Sequence, residues 1–308
     1  MPSGATYDVE ITTDPAAFLA VAEDHLEADP VVTTVMATVT SRHRDEQDAG
    51  IAPPTDRPQW WAVVRDGDGA IAGLAMRTSR TPPHPMFVLP MADDAALALA
   101  RAIHQRGETI GGLNGALPAA EVMAGELARL QGDTVEVAQH VRLFELAELV
   151  PPVGVPGSLR TATVDDFDLA KQWIDRFMHD ADVQAGRDPA AHGREVIEPE
   201  DLQRRIAGGT YWFWLDEAGE RVHLTGANPP AFGVARIGPV YTPPEQRRKG
   251  FAGAAVAQVS QLILDAGARA CLYTDQANPT SNGIYQALGY RAVVDQVNLR
   301  IGDRPSAP

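Results

Sequence analysis

The run Val234, Ala235, Arg236, Ile237, Gly238, Pro239, Val240, Tyr241, Thr242 leads into Arg247, Arg248, Lys249, Gly250, Phe251, Ala252, Gly253, and a long apolar-periodic stretch follows to Ala266. Read together, these are a strand, a basic glycine-containing turn and a helix that begins inside the turn. The turn aims several backbone N–H groups at one place, at the positive end of the helix dipole, and that place suits a phosphate. Gly250 and Ala252 keep the surface low, so an anion can approach the main chain closely. A diphosphate is the natural occupant. The bland alternative is a solvated basic loop in front of an ordinary helix.

The surrounding pattern has the same sense. In the second half, Asp165 begins a helix carrying Phe167, Leu169, Ala170, Trp173, Ile174 and Phe177, and Glu200 to Ile206 reads as another. Tyr211 to Leu215 and Val222 to Leu224 are strands around a turn, and the strand Phe232 to Thr242 feeds the basic turn. Gly267 stops the helix that follows. Ala270 to Thr274 is a strand, Ser281 to Leu288 a short helix, and Tyr290 to Ile301 a closing strand. In Tyr211, Trp212, Phe213 and Trp214, alternation places Tyr211 and Phe213 on one face; Trp212 and Trp214, on the other, are candidates to line an acceptor pocket.

The first half gives a similar order. Asp14 caps a helix with Pro15 at its first position, and Phe18, Val21, Ala22 and Leu26 recur at helical spacing. Trp60 to Val64, the turn Asp66 to Gly69, and Ile71 to Arg77 form a hairpin. A short apolar run at Met86 to Met91 precedes a helix from Asp93 to about Gln105. A strand at Thr109 to Leu113, a helix from Pro118 to about Leu130 and a strand at Val135 to Leu146 complete the half. No arginine and glycine cluster stands after Met86, where the chain reads Val88, Leu89, Pro90, Met91, Ala92. The expected fold is α/β (α+β), a mixed, mostly antiparallel central sheet with flanking helices, in a tandem of two related domains. Val150 to Gly157 concentrates proline and glycine. The expected division is therefore 1–150, a connection at 151–157, 158–301, and a tail at 302–308.

Downstream of the basic turn stands Asn278, Pro279, Thr280, Ser281, Asn282, Gly283, Ile284, Tyr285, Gln286, Ala287, Leu288, Gly289, Tyr290. Together with Arg247 to Ala252, this segment resembles the two most diagnostic segments of the GNAT superfamily of acetyl-CoA-dependent N-acetyltransferases. Arg247, Gly250 and Ala252 match the pyrophosphate motif, and Asn278, Tyr285, Gly289 and Tyr290 match the later one. The resemblance covers about 158–301 and implies acetyl-CoA as the donor. Arg247, Arg248, Lys249, Gly250, Phe251, Ala252 and Gly253 would then wrap the diphosphate. The main chain of Val240, Tyr241 and Thr242 would meet the pantetheine amides, and an N–H near Val240 would polarise the thioester carbonyl. Tyr285 would be the general acid toward the departing thiolate. Asn278, with Ser281, would either bind the pantetheine arm or simply cap a helix.

The chain departs from one common pattern of that superfamily, a glutamate on the strand before the turn: here the neighbourhood reads Val234, Ala235, Arg236, Ile237. The base must be sought elsewhere, and His179, Asp180 and Asp182 stand in a polar stretch after the first helix of this half. The net charge of −15 disfavours nucleic acid and anionic membranes and tilts toward a cationic small amine. Cys271, the only cysteine, permits no internal disulfide and lies in an apolar run, where burial is expected. The scattered histidines show no metal-ligand spacing. Met1 to Glu10 carries no basic leader with an apolar core, and no stretch approaches the ~18 apolar residues of a membrane span, so a cytoplasmic protein is expected. The reading is acetyl transfer to a primary amine of a small molecule; the alternative is an inactive acyl-CoA-binding module. The first half is left to wall the acceptor site or form a homodimer contact.

Overall fold

The computed structural model describes residues 6–184 and 198–302. In chain order the elements are β1 (Asp8–Thr12), α1 (Pro15–Ala28), α2 (Thr34–Asp48), β2 (Trp60–Arg65), β3 (Ile71–Arg77), β4 (Met86–Val88), α3 (Asp93–Gln105), β5 (Gly112–Ala116), α4 (Ala119–Gln131) and β6 (Thr134–Leu146). Then come β7 (Ser158–Thr161), α5 (Phe167–Gln184), α6 (Pro199–Ala207), β8 (Tyr211–Leu215), β9 (Arg221–Ala227), β10 (Val234–Tyr241), α7 (Phe251–Asp265), β11 (Arg269–Asp275), α8 (Pro279–Ala287) and β12 (Tyr290–Gly302). The second series repeats the first element by element. The chain forms two compact units, Met1–Val141 with Val294–Pro308, and Arg142–Val293.

Both long strands, β6 and β12, contribute to both units. In the first unit the strand order is β1-β2-β3-β4-β5-β12, with Gln296–Arg300 of β12 antiparallel to Gly112–Ala116 of β5. In the second it is β6-β11-β10-β9-β8-β7. Each repeat's closing strand therefore completes the other repeat's sheet. The proline-rich stretch 151–157 lies inside the second unit, where Trp214 Nε1 donates to the Pro156 carbonyl at 3.0 Å. Strands β4–β5 and β10–β11 pair in parallel, whereas β1–β2, β2–β3, β3–β4, β5–β12, β7–β8, β8–β9 and β9–β10 are antiparallel.

Local chemistry accounts for the elements. Asp14 accepts from the Ala16 N–H and Pro15 opens α1, whose Phe18, Ala22 and Leu26 are buried. Burial of each large side chain of this kind contributes about 1.5–3 kcal/mol. Val21, on the same expected face, is exposed. In the first unit the core is built from Trp60, Ala62, Val64, Met86, Leu113 and Val297 of the strands packed against Leu99 and Ile103 of α3 and Met123 and Leu127 of α4. Three elements are absent from the sequence pattern: β1, β7, and α2, a polar helix whose buried residues are Thr34, Met36, Ala37, Thr40 and His43. The strand expected at Thr109 to Leu113 is β5, shifted to Gly112–Ala116. Gly115 is required there, because a Cβ would overlap the Val88 carbonyl of the paired strand.

In the second unit, Tyr211 and Phe213 pack with Trp173, Ile174, Leu202 and Tyr241 under α5 and α6. The other face of β8 supports α7: Trp214 is buried against Phe251, Ala254 and Ala255, and Trp212 is partly buried against the cluster that holds Tyr285. Of that pair, Trp214 is thus taken up by packing and Trp212 is so in part. Cys271 is fully buried on β11. No helix among the described residues is long and apolar enough to cross a membrane.

Candidate active site

The site forms where β10 leaves β11. The two strands pair in parallel from Val234↔Arg269 to Ile237↔Leu272 and no further, although β10 runs on to Tyr241 and β11 to Asp275. On its other side β10 stays paired with β9, through Val240↔Thr225 and Tyr241↔Leu224, after an irregularity between Ile237 and Val240. A wedge therefore opens between β10 and β11 beside Val240, Tyr241 and Thr242.

The basic turn follows the end of β10 and leads into α7. Arg248 and Gly250 both adopt left-handed backbone (φ 64° and 85°), which bends the chain into α7. Gly250 is the N-cap of α7 and has no side chain to satisfy the first turn; the first helical bond is Ala254 N–H to Gly250 C=O at 3.1 Å. The N–H groups of Phe251, Ala252 and Gly253 thus precede any intrahelical partner. A Cβ on Gly250 would stand 3.0 Å from Val155 Cγ2, whereas Gly253 is open, its nearest neighbour Ile284 Cγ2 lying 3.8 Å from a Cβ position.

The three basic side chains behave differently. Arg247 turns inward: its Nε donates to the Thr242 carbonyl at 3.0 Å and its Nη2 to Asp180 Oδ2 at 2.6 Å. Lys249 donates to Gln246 Oε1 at 2.7 Å. Arg248 is exposed and has no partner among the described residues.

Helix α8 brings the second motif alongside. Asn278 Oδ1 accepts from the Ser281 N–H at 3.1 Å, so Asn278 caps α8, as its residue type favours. Tyr285 lies on the buried side of α8, edge-on to Tyr290 at 6.1 Å, in the apolar cluster against which Val240 and Ile284 pack. Its hydroxyl has no hydrogen-bond partner among the described residues, and burial pushes its pKa well above the ordinary tyrosine range, so it keeps its proton at neutral pH. Gly289, at φ 97°, permits the turn into β12 where a Cβ would overlap the Glu148 carbonyl.

Two features had no motif to announce them. The first is a cavity of about 500 Å³ lined by Gln172, Asp175, Arg176, His179, Asp180, Tyr241 and Pro244. Asp180 ties it together: Oδ2 accepts from the Tyr241 hydroxyl at 3.1 Å and from Arg247, and Oδ1 lies 3.4 Å from His179 Nδ1. Burial first, and then the Asp180 charge, raise the Tyr241 pKa. His179, Asp180 and Asp182, expected in a polar stretch after α5, lie within its last turns, because the helix runs on to Gln184; that stretch was the sequence signal for the cavity. The second is His223, fully buried on β9, with Nδ1 2.7 Å from Thr242 Oγ1 and Nε2 2.7 Å from Thr225 Oγ1. Burial lowers its pKa to about 3, so it is a neutral strut beneath Thr242.

The corresponding place in the first unit has different chemistry. Helix α3 begins after Ala92 with Asp93 and Asp94 in its first turn, which set negative charge where α7 has bare N–H groups. An anion is repelled there.

Residues 231–301 match the family described as FR47-like protein, which spans β10, the turn, α7, β11, α8 and β12. A GCN5-related N-acetyltransferase from Sphaerobacter thermophilus superposes with a TM-score of 0.58 at 15% identity, over 100% of this chain and 98% of that one. A tandem GNAT protein from the clavulanic acid biosynthesis pathway gives 0.53 at 14% identity, over 97% and 100% of the two chains. The chain has a tandem GNAT fold. A Drosophila protein superposes on this GNAT fold with a TM-score of 0.63 at 14% identity, over 95% of this chain and 98% of its own. No curated protein matches the chain at the level of sequence. Within the GNAT frame, the second unit carries the splayed strands and bare helix turn, and the first unit keeps the scaffold with an acidic helix start.

Proposed function

We propose that this protein is an acetyl-CoA-dependent N-acetyltransferase that passes an acetyl group to a primary amine of a small molecule by direct attack. The observation that carries the reading is the uncapped first turn of α7, presented by left-handed Arg248 and Gly250 beside the wedge between β10 and β11. The residues fit coenzyme A. The N–H groups of Phe251, Ala252 and Gly253, with the Arg248 guanidinium, would hold its diphosphate. The main chain from Val240 to Thr242 would take its amides as an added strand does. Bound there, acetyl-CoA supplies an activated acyl carbonyl.

The chain's own residues then divide the work. The main chain near Val240 orients the acyl group, and Tyr285 holds a proton at its hydroxyl for the leaving sulfur. Lys249 and Arg247 shape the turn through Gln246, Thr242 and Asp180. Asn278 and Ser281 fix the start of α8 and so the position of Tyr285. The first unit, with Asp93 and Asp94 at its helix start, is assigned no donor site.

Calorimetric titration with coenzyme A, followed by thiol release from acetyl-CoA with a panel of primary amines, tests the reading. Binding with turnover is expected, and Tyr285→Phe should lower kcat by on the order of 10²-fold with coenzyme A affinity retained. Unchanged turnover in Tyr285→Phe removes that residue from the mechanism. Binding without turnover by the parent protein favours the inactive acyl-CoA-binding module.

A further inference from the structure

The geometry points to His179 as the general base that takes a proton from the acceptor amine, with Asp180 as its positioning partner. This rests on the acetyltransferase reading above and supplies the group that β10 lacks, since Val234, Ala235, Arg236 and Ile237 include no carboxylate. The cavity lined by His179 adjoins the wedge through a shared residue, Tyr241, which stands at the end of β10 and in the cavity wall. An amine that enters the cavity thereby reaches the Tyr241 end of β10, beside the wedge where an acyl group would be presented.

Within this cavity the groups sort by what they are able to do. Asp180 is held by Arg247 and the Tyr241 hydroxyl at Oδ2, so that oxygen is committed. Its other oxygen, Oδ1, faces His179 Nδ1 at 3.4 Å. A proton on Nδ1 directed at Oδ1 leaves Nε2 as the free acceptor of the ring. This is the arrangement by which a carboxylate orients an imidazole base, and such contacts commonly tighten when substrate binds. Arg176 is a permanent cation and Tyr241 is held protonated by burial and by Asp180, so neither accepts a proton. Asp175 is paired with Lys171 at 2.9 Å. Among the described residues, the charged or titratable groups that line the cavity with His179 are Asp175, Arg176 and Asp180 from α5 and Tyr241 from β10, with Arg247 behind Asp180; Asp182 follows one turn further along α5.

The proton balance closes. The acceptor ammonium gives one proton to His179 Nε2 and attacks through the freed lone pair; the C–S bond breaks as the C–N bond forms. The second proton of the nitrogen replaces the one that the leaving sulfur has taken, and His179 returns its proton to solvent. One proton is released per turnover. Arg247 has a different part from the one its place in the turn implies: it bridges the turn to Asp180, so the donor side and the base are mechanically joined.

The test uses the full-length protein with His179→Gln and Asp180→Asn. In the protein without coenzyme A, imidazole 15N spectra should show His179 as the Nδ1–H tautomer, and Asp180→Asn should move it toward Nε2–H. With acetyl-CoA and the amines that the parent protein accepts, His179→Gln should lower kcat by on the order of 10²-fold and remove the acidic limb of the pH–rate profile, leaving coenzyme A affinity unchanged. Asp180→Asn should lower kcat less. Full kcat and an intact acidic limb in His179→Gln overturn the proposal while leaving acetyl transfer standing. A His179 tautomer indifferent to Asp180→Asn overturns the positioning role. A parent protein that binds coenzyme A but acetylates no amine overturns this inference together with the reading it rests on.

Discussion

Replacing Gly250 with alanine tests the cofactor turn, and replacing Gly267 with alanine supplies the control from the opposite end of the same helix. Both glycines are left-handed, at φ 85° and 77°, so each substitution carries the same conformational cost of about 1–2 kcal/mol. They differ in surroundings. A Cβ at Gly267 meets nothing within 4 Å, whereas one at Gly250 stands 3.0 Å from Val155 Cγ2, so the turn or Val155 must give by a few tenths of an ångström. Gly267→Ala should therefore lower Tm by roughly 2–8 °C, from about 2–4 °C per kcal/mol for a domain of this size, and Gly250→Ala by somewhat more. Coenzyme A affinity separates them further. Displacing the first turn of α7 by enough to lose one charge-assisted bond to the diphosphate costs about 1.5–3 kcal/mol, or about 10- to 150-fold in Kd. Thermal melts and calorimetric titrations of the three proteins decide the matter. The reasoning fails if Gly250→Ala binds coenzyme A like the parent, or if Gly267→Ala weakens binding equally.

Asp166, whose side chain is fully buried, accepts from both terminal nitrogens of Arg160, from Arg221 Nε, and from the N–H and hydroxyl of Thr163. Burial works to raise its pKa, yet Arg160 and Thr163 hold it far below the carboxylate range, so this stabilisation is present above pH ~4 and is lost only in strong acid. Asp166→Asn should cost about 3 kcal/mol at neutral pH by urea denaturation; a loss under about 1 kcal/mol would contradict the picture of a buried, paired charge. His223, with a pKa lowered to about 3, stays neutral in the folded chain while the unfolded chain protonates near 6.5. Stability should therefore fall as pH drops from about 6.5 toward 3, and His223→Gln should flatten that slope in the same measurement; an unchanged slope would assign it to other groups.

Much of the fold was legible because its signals are local. The cap at Asp14, the hairpin turn at Asp66 to Gly69, the period of α7 and the aromatic alternation of β8 depend on residues within a few positions of one another. Helix α2 was not legible: its polar composition hides the pattern, and the hydroxyl of buried Thr40 is satisfied by Trp61 Nε1 of another element, which donates to it at 2.8 Å. The strands β1 and β7 were not legible because four or five residues carry little period of their own.

The sequence by itself determined the two repeats, the uncapped basic turn at Arg247 to Gly253 and the absence of a carboxylate before it, since backbone conformation and helix dipole follow from neighbouring residues. Only the tertiary structure decided what those residues face. It paired Arg247 with Asp180 and set Tyr241 beside a cavity. It placed His223 under Thr242 and let β6 and β12 complete each other's sheets. Each of these joins groups distant in the chain, and the burial and charge that govern their chemistry exist only once packing has brought them together.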